Sequence, residues 1–147
     1  MSTTIERSAL VMHPAEGMFD LVNDVAAYPE FMDGCVGATI LASDEKEMVA
    51  QLVLRRAGVE QRFTTRNQLQ RPERIALALE EGPFTALNGL WRFDALNDSA
   101  CKVSLTLTFE FKNSALAFAA GKLFSQVANN LVGSLCQRAD EVYTGEL

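Results

Sequence analysis

Apolar and polar side chains alternate with a period of two between residues 35 and 111. This spacing is typical of β-strands that bury one face and expose the other. Residues 101–111 show it without a break, since every second side chain is apolar and those between are polar or charged. Dipeptides such as Ala57-Gly58 and Asn97-Asp98 separate the alternating runs and favour turns. The pattern predicts six strands in hairpin succession, at residues 36–41, 48–56, 60–69, 75–79, 87–96 and 101–111.

The beginning of the chain follows a different pattern. Residues 4–12 alternate and predict one more strand. Pro14 suits the first turn of a following helix, because its missing N–H would have no acceptor there. Pro29 is expected to end or bend that helix, since the residue before a proline avoids helical backbone angles. The helix is expected to cover about three turns and to bury residues at i, i+3, i+4 and i+7: Met18, Leu21, Val22 and Val25.

The last third of the chain predicts one long helix. Asn113-Ser114 offers a cap at its start, and apolar residues then recur at steps of three and four as far as Val142. The helix is expected to span about 28 residues, or about 42 Å, which is long enough to cross the domain. The element order predicts an α+β fold, in which a curved antiparallel sheet of about six or seven strands wraps around this helix. One or two short helices are expected after the first strand, and residues 1–147 are expected to form a single domain.

Composition narrows the class of protein. A hydrophobic fraction of 48% and a charged fraction of 22% are typical of a soluble globular domain. Glu6 and Arg7 interrupt the N-terminus before a secretory signal could form, and the uncharged stretch 123–137 is too short and too polar to span a membrane. The 3 cysteines are widely spaced and odd in number, which favours reduced thiols and a cytoplasmic protein.

Charge and metal chemistry exclude further classes. The net charge of −6 argues against broad nucleic-acid binding. The single histidine, His13, lacks the partners that a metal site or histidine-based catalysis needs, so it is expected to be structural and no metal site is predicted. Basic residues are nevertheless concentrated between positions 55 and 74, where only Glu60 and Glu73 oppose them. The cluster comprises Arg55, Arg56, Arg62, Arg66, Arg71 and Arg74.

Four stretches of the sequence resemble one branch of the START-like superfamily in the same order. They read LVNDVAAYPEFMDGCVGATIL, AGVEQRFTTRNQL, EGPFTALNGLWRF and RADEVY. That branch holds the ribosome association toxin RatA and the coenzyme Q-binding START-domain proteins, under an older polyketide cyclase/dehydrase label. The resemblance runs from Ser8 to Tyr143 and implies a helix-grip fold. It also implies a hydrophobic tunnel between the sheet and the long helix, able to accept ubiquinone or another isoprenoid lipid.

A ligand cavity is expected where aromatic residues of the strands face apolar residues of the helix, Phe118 among them. The alternative is a core that side chains fill completely. The YPxFxxGC word, which begins at Tyr28, is expected at the cavity mouth, so that the segment 28–32 covers the open end. The residues predicted to line the cavity and its mouth are Val25, Tyr28, Phe31, Met32, Phe63, Phe84, Trp91, Phe93, Phe109, Leu123, Phe124, Val127 and Leu131.

The basic cluster at residues 55–74, here called the arginine hairpin, has two interpretations. It is either a solvated sheet face or a contact with an anionic surface, namely ribosomal RNA or acidic lipid headgroups. Composition does not separate these. The residues predicted to make such a contact are Arg55, Arg56, Arg62 and Arg66.

The leading functional hypothesis is a non-enzymatic carrier or chaperone that binds ubiquinone or a similar lipid and supports respiratory electron transport. It would need no cofactor besides that ligand, and would act in the cytoplasm with a peripheral contact at the inner membrane. The alternative is a toxin that binds the large ribosomal subunit and blocks 70S formation. An aromatase/cyclase-like enzyme is disfavoured, because the acidic and basic residues on the strands form no signature spacing. The sequence leaves the oligomeric state open.

Overall fold

The computed structural model describes residues 2–143. Seven strands form one antiparallel sheet in the order β1-β7-β6-β5-β4-β3-β2. Consecutive strands from β2 to β7 are neighbours. The first strand, β1, pairs with the last, β7, so β1 and β2 form the two edges of the sheet. The strands are β1 (Thr3–Val11), β2 (Cys35–Ser43), β3 (Glu47–Arg56), β4 (Val59–Gln70), β5 (Arg74–Glu81), β6 (Phe84–Asn97) and β7 (Ala100–Phe111). The predicted α+β architecture, with a curved antiparallel sheet around a long C-terminal helix, is confirmed.

The long helix, α3 (Ser114–Tyr143), has 30 residues and is about 45 Å long. The Asn113 side chain caps its start, because Oδ1 accepts a hydrogen bond from the Leu116 backbone N–H at 2.9 Å. Phe118 is 92% exposed, so its expected position facing the sheet is wrong. The buried apolar stripe of the helix does not include Phe118. The buried residues are Ala120, Leu123, Phe124, Val127, Ala128, Val132, Leu135 and Ala139.

The first helix, α1 (Ala15–Asn23), is shorter than expected, and Pro29 does not end it. A 3₁₀ turn (Val25–Ala27) follows, and Pro29 lies within the next short helix, α2 (Tyr28–Phe31). The first turn of a helix tolerates proline because the N–H groups there have no helical acceptor. Tyr28 accordingly keeps helical angles, φ −53° and ψ −42°, although it precedes the proline. The expected break at Pro29 is therefore wrong, and the helical path ends six residues earlier, at Asn23.

The C-terminal end of α3 is held against the first helix. His13 is buried, and its Nε2 lies 2.8 Å from Oδ1 of Asp140. The Tyr143 hydroxyl donates a hydrogen bond to the Gly17 carbonyl at 2.7 Å. These contacts position α1, and with it the segment that follows, over the sheet. Among the described residues, no helix is long and apolar enough to cross a membrane.

Candidate ligand-binding cavity

A cavity of about 90 Å³ lies between the sheet, α3 and the segment that joins α1 to β2. Its walls come from the inward-facing side chains of β3 to β7, from the buried stripe of α3 and from residues 22–32. Most of these side chains are aliphatic or aromatic. Apolar walls of this kind, with a few polar groups among them, are typical of small-molecule sites.

Eight of the thirteen predicted residues border this cavity. They are Val25, Tyr28, Met32, Phe63, Trp91, Phe124, Val127 and Leu131. The structure thus brings residues 25–32 together with residues of β4, β6 and α3, which are far apart in sequence. That they contact a ligand stays a prediction.

The other five predicted residues do not border the cavity: Phe31, Phe84, Phe93, Phe109 and Leu123. Phe84 and Phe109 instead pack around Phe124, with ring centroids 5.0 and 4.6 Å from it, and fill the space at that end of the sheet. Phe93 packs edge-on against Phe19 at 5.7 Å. Leu123 is buried in the core cluster beside the cavity.

Phe31 does not border the cavity although it belongs to the covering segment, residues 28–32. Its ring contacts Tyr28 at 5.8 Å between centroids, and the Arg138 guanidinium lies 5.2 Å from its centre. A cation over an aromatic face is attracted by the ring quadrupole. This contact holds the outer side of α2 against α3. Phe31 therefore packs on the outer surface of α2 and not at the cavity mouth, where it was expected.

Three polar residues in the cavity wall were missed: Asn23, Thr65 and Asn67. The Thr65 hydroxyl donates a hydrogen bond to Oδ1 of Asn67 at 2.8 Å. Oδ1 of Asn23 is buried and has no hydrogen-bond partner within the described part of the chain. The strand period contained a signal for two of them, because Thr65 and Asn67 alternate in phase with the inward-facing Phe63. Such groups are suited to orient a polar atom of an otherwise apolar ligand.

Tyr28 covers one side of the cavity. Its hydroxyl donates a hydrogen bond to the Val22 carbonyl, which links the end of α1 to the start of α2. Burial raises the pKa of Tyr28 well above its ordinary value, and the nearby Cys35 and Asp24 raise it further. Tyr28 therefore stays protonated and serves as a wall and a hydrogen-bond donor.

The arginines of the predicted contact surface are each paired with a carboxylate. Arg55 donates to Glu60 at 2.9 Å, and Arg62 lies 3.6 Å from the same carboxylate. Arg56 pairs with Asp33, and Arg66 pairs with both Glu47 and Glu80. These pairs neutralise most of the local positive charge. Contact of the hairpin with an anionic surface stays a prediction.

Residues 11–136 match the sequence family described as polyketide cyclase / dehydrase and lipid transport. This chain belongs to that family. The ribosome association toxin RatA of Pseudomonas aeruginosa is 47% identical to this chain over 143 residues, covering 97% of this chain and 99% of the relative. The mitochondrial coenzyme Q-binding protein COQ10 homolog B of Xenopus laevis is 24% identical over 132 residues, covering 87% of this chain and 54% of the relative.

A solved structure of the family's fold matches this chain closely. The Zhui aromatase/cyclase from Streptomyces superposes with a TM-score of 0.80, covers 95% of this chain and 94% of its own, and is 20% identical. At that identity the likeness shows the shared helix-grip fold alone.

In this member of the polyketide cyclase / dehydrase and lipid transport family, Tyr28 is the titratable residue among the described cavity-lining side chains. The acidic and basic residues considered from the sequence lie elsewhere. Arg66 pairs with Glu80, and Arg92 pairs with Asp94 at 3.4 Å, all on partly exposed strand positions. Within residues 2–143, no group of three His, Cys, Asp or Glu side chains could hold a metal ion. The arrangement is suited to enclosing an apolar molecule.

Proposed function

We propose that this protein is a non-enzymatic carrier that binds ubiquinone or a similar lipid between the sheet and α3, and supports respiratory electron transport from the cytoplasm. The observation that carries the proposal is the cavity itself, with apolar walls and three polar side chains at Asn23, Thr65 and Asn67. The coenzyme Q-binding name of the Xenopus relative supports the choice of a quinone.

The size of the cavity determines how a ligand enters. Ligand sites commonly have about 300–1,000 Å³, whereas this one has about 90 Å³. A quinone head with part of its tail therefore fits only after the walls separate. The covering segment around α2 is the moving part in this proposal, because it is a single short helix. Its side-chain contacts include the Tyr28 hydrogen bond to α1 and the Phe31 contact with Arg138 of α3.

The proposal is tested by extracting purified protein with organic solvent and measuring lipids by mass spectrometry. A quinone or other isoprenoid lipid in stoichiometric amount is expected. Ala128→Leu, which fills the cavity from α3, should lower the bound amount several-fold. The exposed change Ala95→Leu is the matched control and should leave it unchanged. Wild-type protein that carries no lipid and takes up no added ubiquinone would exclude the carrier function.

Ribosome association is a second candidate, and the RatA name of the 47% identical relative favours it. In this function the protein binds the large ribosomal subunit and blocks 70S formation. Sucrose gradients of ribosomes with added protein should then show separate subunits in place of 70S particles. An unchanged profile, also at low magnesium, would exclude this activity. Ala128→Leu in the same assay shows whether the cavity is needed for it.

A further inference from the structure

The outer face of the first two turns of α3 is apolar and exposed to solvent. Phe118 is 92% exposed, the highest value among the large exposed hydrophobic residues of the described chain. Ala115 and Ala119 are exposed beside it, at positions i−3 and i+1. Side chains three and four residues apart share one face of a helix, so Ala115, Phe118 and Ala119 form a continuous strip, here called the Phe118 face.

The same outer side of α3 becomes polar further along. Lys122 follows at the next turn, and Asn130, Gln137 and Glu141 are exposed beyond it. A solvent-facing helix side normally carries polar residues along its whole length. The Phe118 face departs from this rule over two turns only, which makes it a candidate contact surface.

Charged side chains of both signs lie around the Phe118 face, since Glu80, Glu81 and Glu110 line the same surface grooves as Lys112. Lys112 and Lys122 flank it on both sides and are exposed, and neither forms an ion pair with a described carboxylate. The sequence has no acidic residue between Glu110 and Asp140. The two lysines differ in this from Arg55 and Arg62, which both pair with the carboxylate of Glu60.

We propose that the Phe118 face docks on an anionic phospholipid bilayer. Phe118 inserts among the acyl chains, while Lys112 and Lys122 contact the headgroup phosphates. The small alanines let the helix approach the membrane surface closely. Ribosomal RNA fits less well, because RNA binding neutralises many phosphates, whereas only two unpaired lysines and no hydrogen-bonding side chain for base edges are present on this face.

Docking at this face goes beyond the proposed carrier function and is separable from it. Phe118 does not line the cavity. It lies six residues before Phe124, or about 9 Å along the helix axis, so docking would bring the cavity close to the bilayer. A protein with an empty cavity should dock as well as one that carries a lipid.

Flotation of the full chain with lipid vesicles tests the proposal. Vesicles of phosphatidylglycerol and phosphatidylethanolamine should bind the protein, and pure phosphatidylcholine vesicles should bind it at least tenfold less. Phe118→Ser and the double change Lys112→Glu with Lys122→Glu should each weaken binding at least tenfold. Met12→Ser is the matched control. Met12 is 79% exposed, but it follows Val11, which pairs with Cys101 at the end of β7 away from the start of α3. Equal binding by Phe118→Ser and wild type would overturn the proposal.

Phe118→Trp gives a direct readout. The native Trp91 is 2% exposed and contributes a constant background. Added anionic vesicles should shift the emission of the new tryptophan to the blue, and brominated lipids should quench it. The proposal is wrong if this emission does not respond to vesicles, or if Phe118→Ser abolishes ribosome binding or self-association while vesicle binding is unchanged. Lipid extraction of the same variants reports on the cavity separately.

Discussion

The hydroxyl of Tyr28 donates a hydrogen bond to the backbone carbonyl of Val22, six residues earlier in the chain. This bond connects α1 to α2 across the 3₁₀ turn, and both residues line the cavity. The covering segment is thus held in place by a buried polar contact beside an apolar cavity.

Tyr28→Phe should destabilise the protein by about 1–3 kcal/mol, because it leaves the buried Val22 carbonyl without this donor. The aromatic ring remains, so the shape of the cavity wall is kept. Urea unfolding measures the change. Tyr143→Phe is the matched control: it removes the hydrogen bond to Gly17 at a partly exposed site and should cost less. An equal loss of unfolding free energy in the two variants would contradict the argument that burial makes the Tyr28 hydrogen bond the more important of the two.

The stability difference between wild type and Tyr28→Phe should narrow above about pH 10. Burial raises the pKa of Tyr28 in the folded protein, whereas the unfolded chain loses this proton near the ordinary value. The folded state then binds more protons than the unfolded state, so the stability from Tyr28 is complete below that pH and declines above it. Urea midpoints of both proteins across the alkaline range test this. A constant difference would mean that Tyr28 titrates normally.

Gly34→Ala should destabilise the protein more than Gly58→Ala. Both glycines have positive φ, +91° and +83°, so each alanine carries a backbone cost of about 1–2 kcal/mol. A Cβ on Gly34 would also lie 2.9 Å from Cγ2 of Val127, a cavity-lining residue, whereas a Cβ on Gly58 meets nothing within 4 Å. Urea unfolding of the two variants isolates the packing term. Val127→Ala combined with Gly34→Ala should recover part of the loss.

The strands were predictable because each buries one face. Residues 101–111 could be assigned from alternation alone, and their neighbours from the turns between them. The path after α1 was not predictable from the tendency of a residue before proline to avoid helical angles. Tyr28 precedes Pro29 but keeps helical angles, and its side chain is buried in the core. The aromatic residues show the same limit. Phe63 and Phe84 both pack against Phe124 of α3, with ring centroids 5.7 and 5.0 Å from it, but of the two only Phe63 borders the cavity, and no sequence pattern distinguishes them.

Glu60→Gln should strengthen binding to ribosomes if the arginine hairpin contacts ribosomal RNA. The change removes a carboxylate that Arg55 and Arg62 share, and so leaves both guanidinium groups available for phosphates. Co-sedimentation with ribosomes at two salt concentrations measures the effect, which should decrease as salt increases. Asp20→Asn, which frees Arg71 at the far end of the same hairpin, is the control. Unchanged binding for Glu60→Gln would assign the hairpin to a solvated surface.

Thr65 and Asn67 give a prediction that separates ligand binding from folding. Thr65→Val removes the hydroxyl that donates to Oδ1 of Asn67. Because Asn67 is only 4% exposed, the free energy of unfolding should fall by about 1–3 kcal/mol. The double change Thr65→Val with Asn67→Leu replaces both partners by apolar groups and should recover most of that stability. It should also reduce the amount of quinone extracted with the protein, because the cavity loses polar groups that orient the ligand head. Urea unfolding and lipid extraction on the same three proteins measure both effects. A double variant that is less stable than Thr65→Val would show that Asn67 is structural, and one that keeps its lipid would show that the head group binds elsewhere.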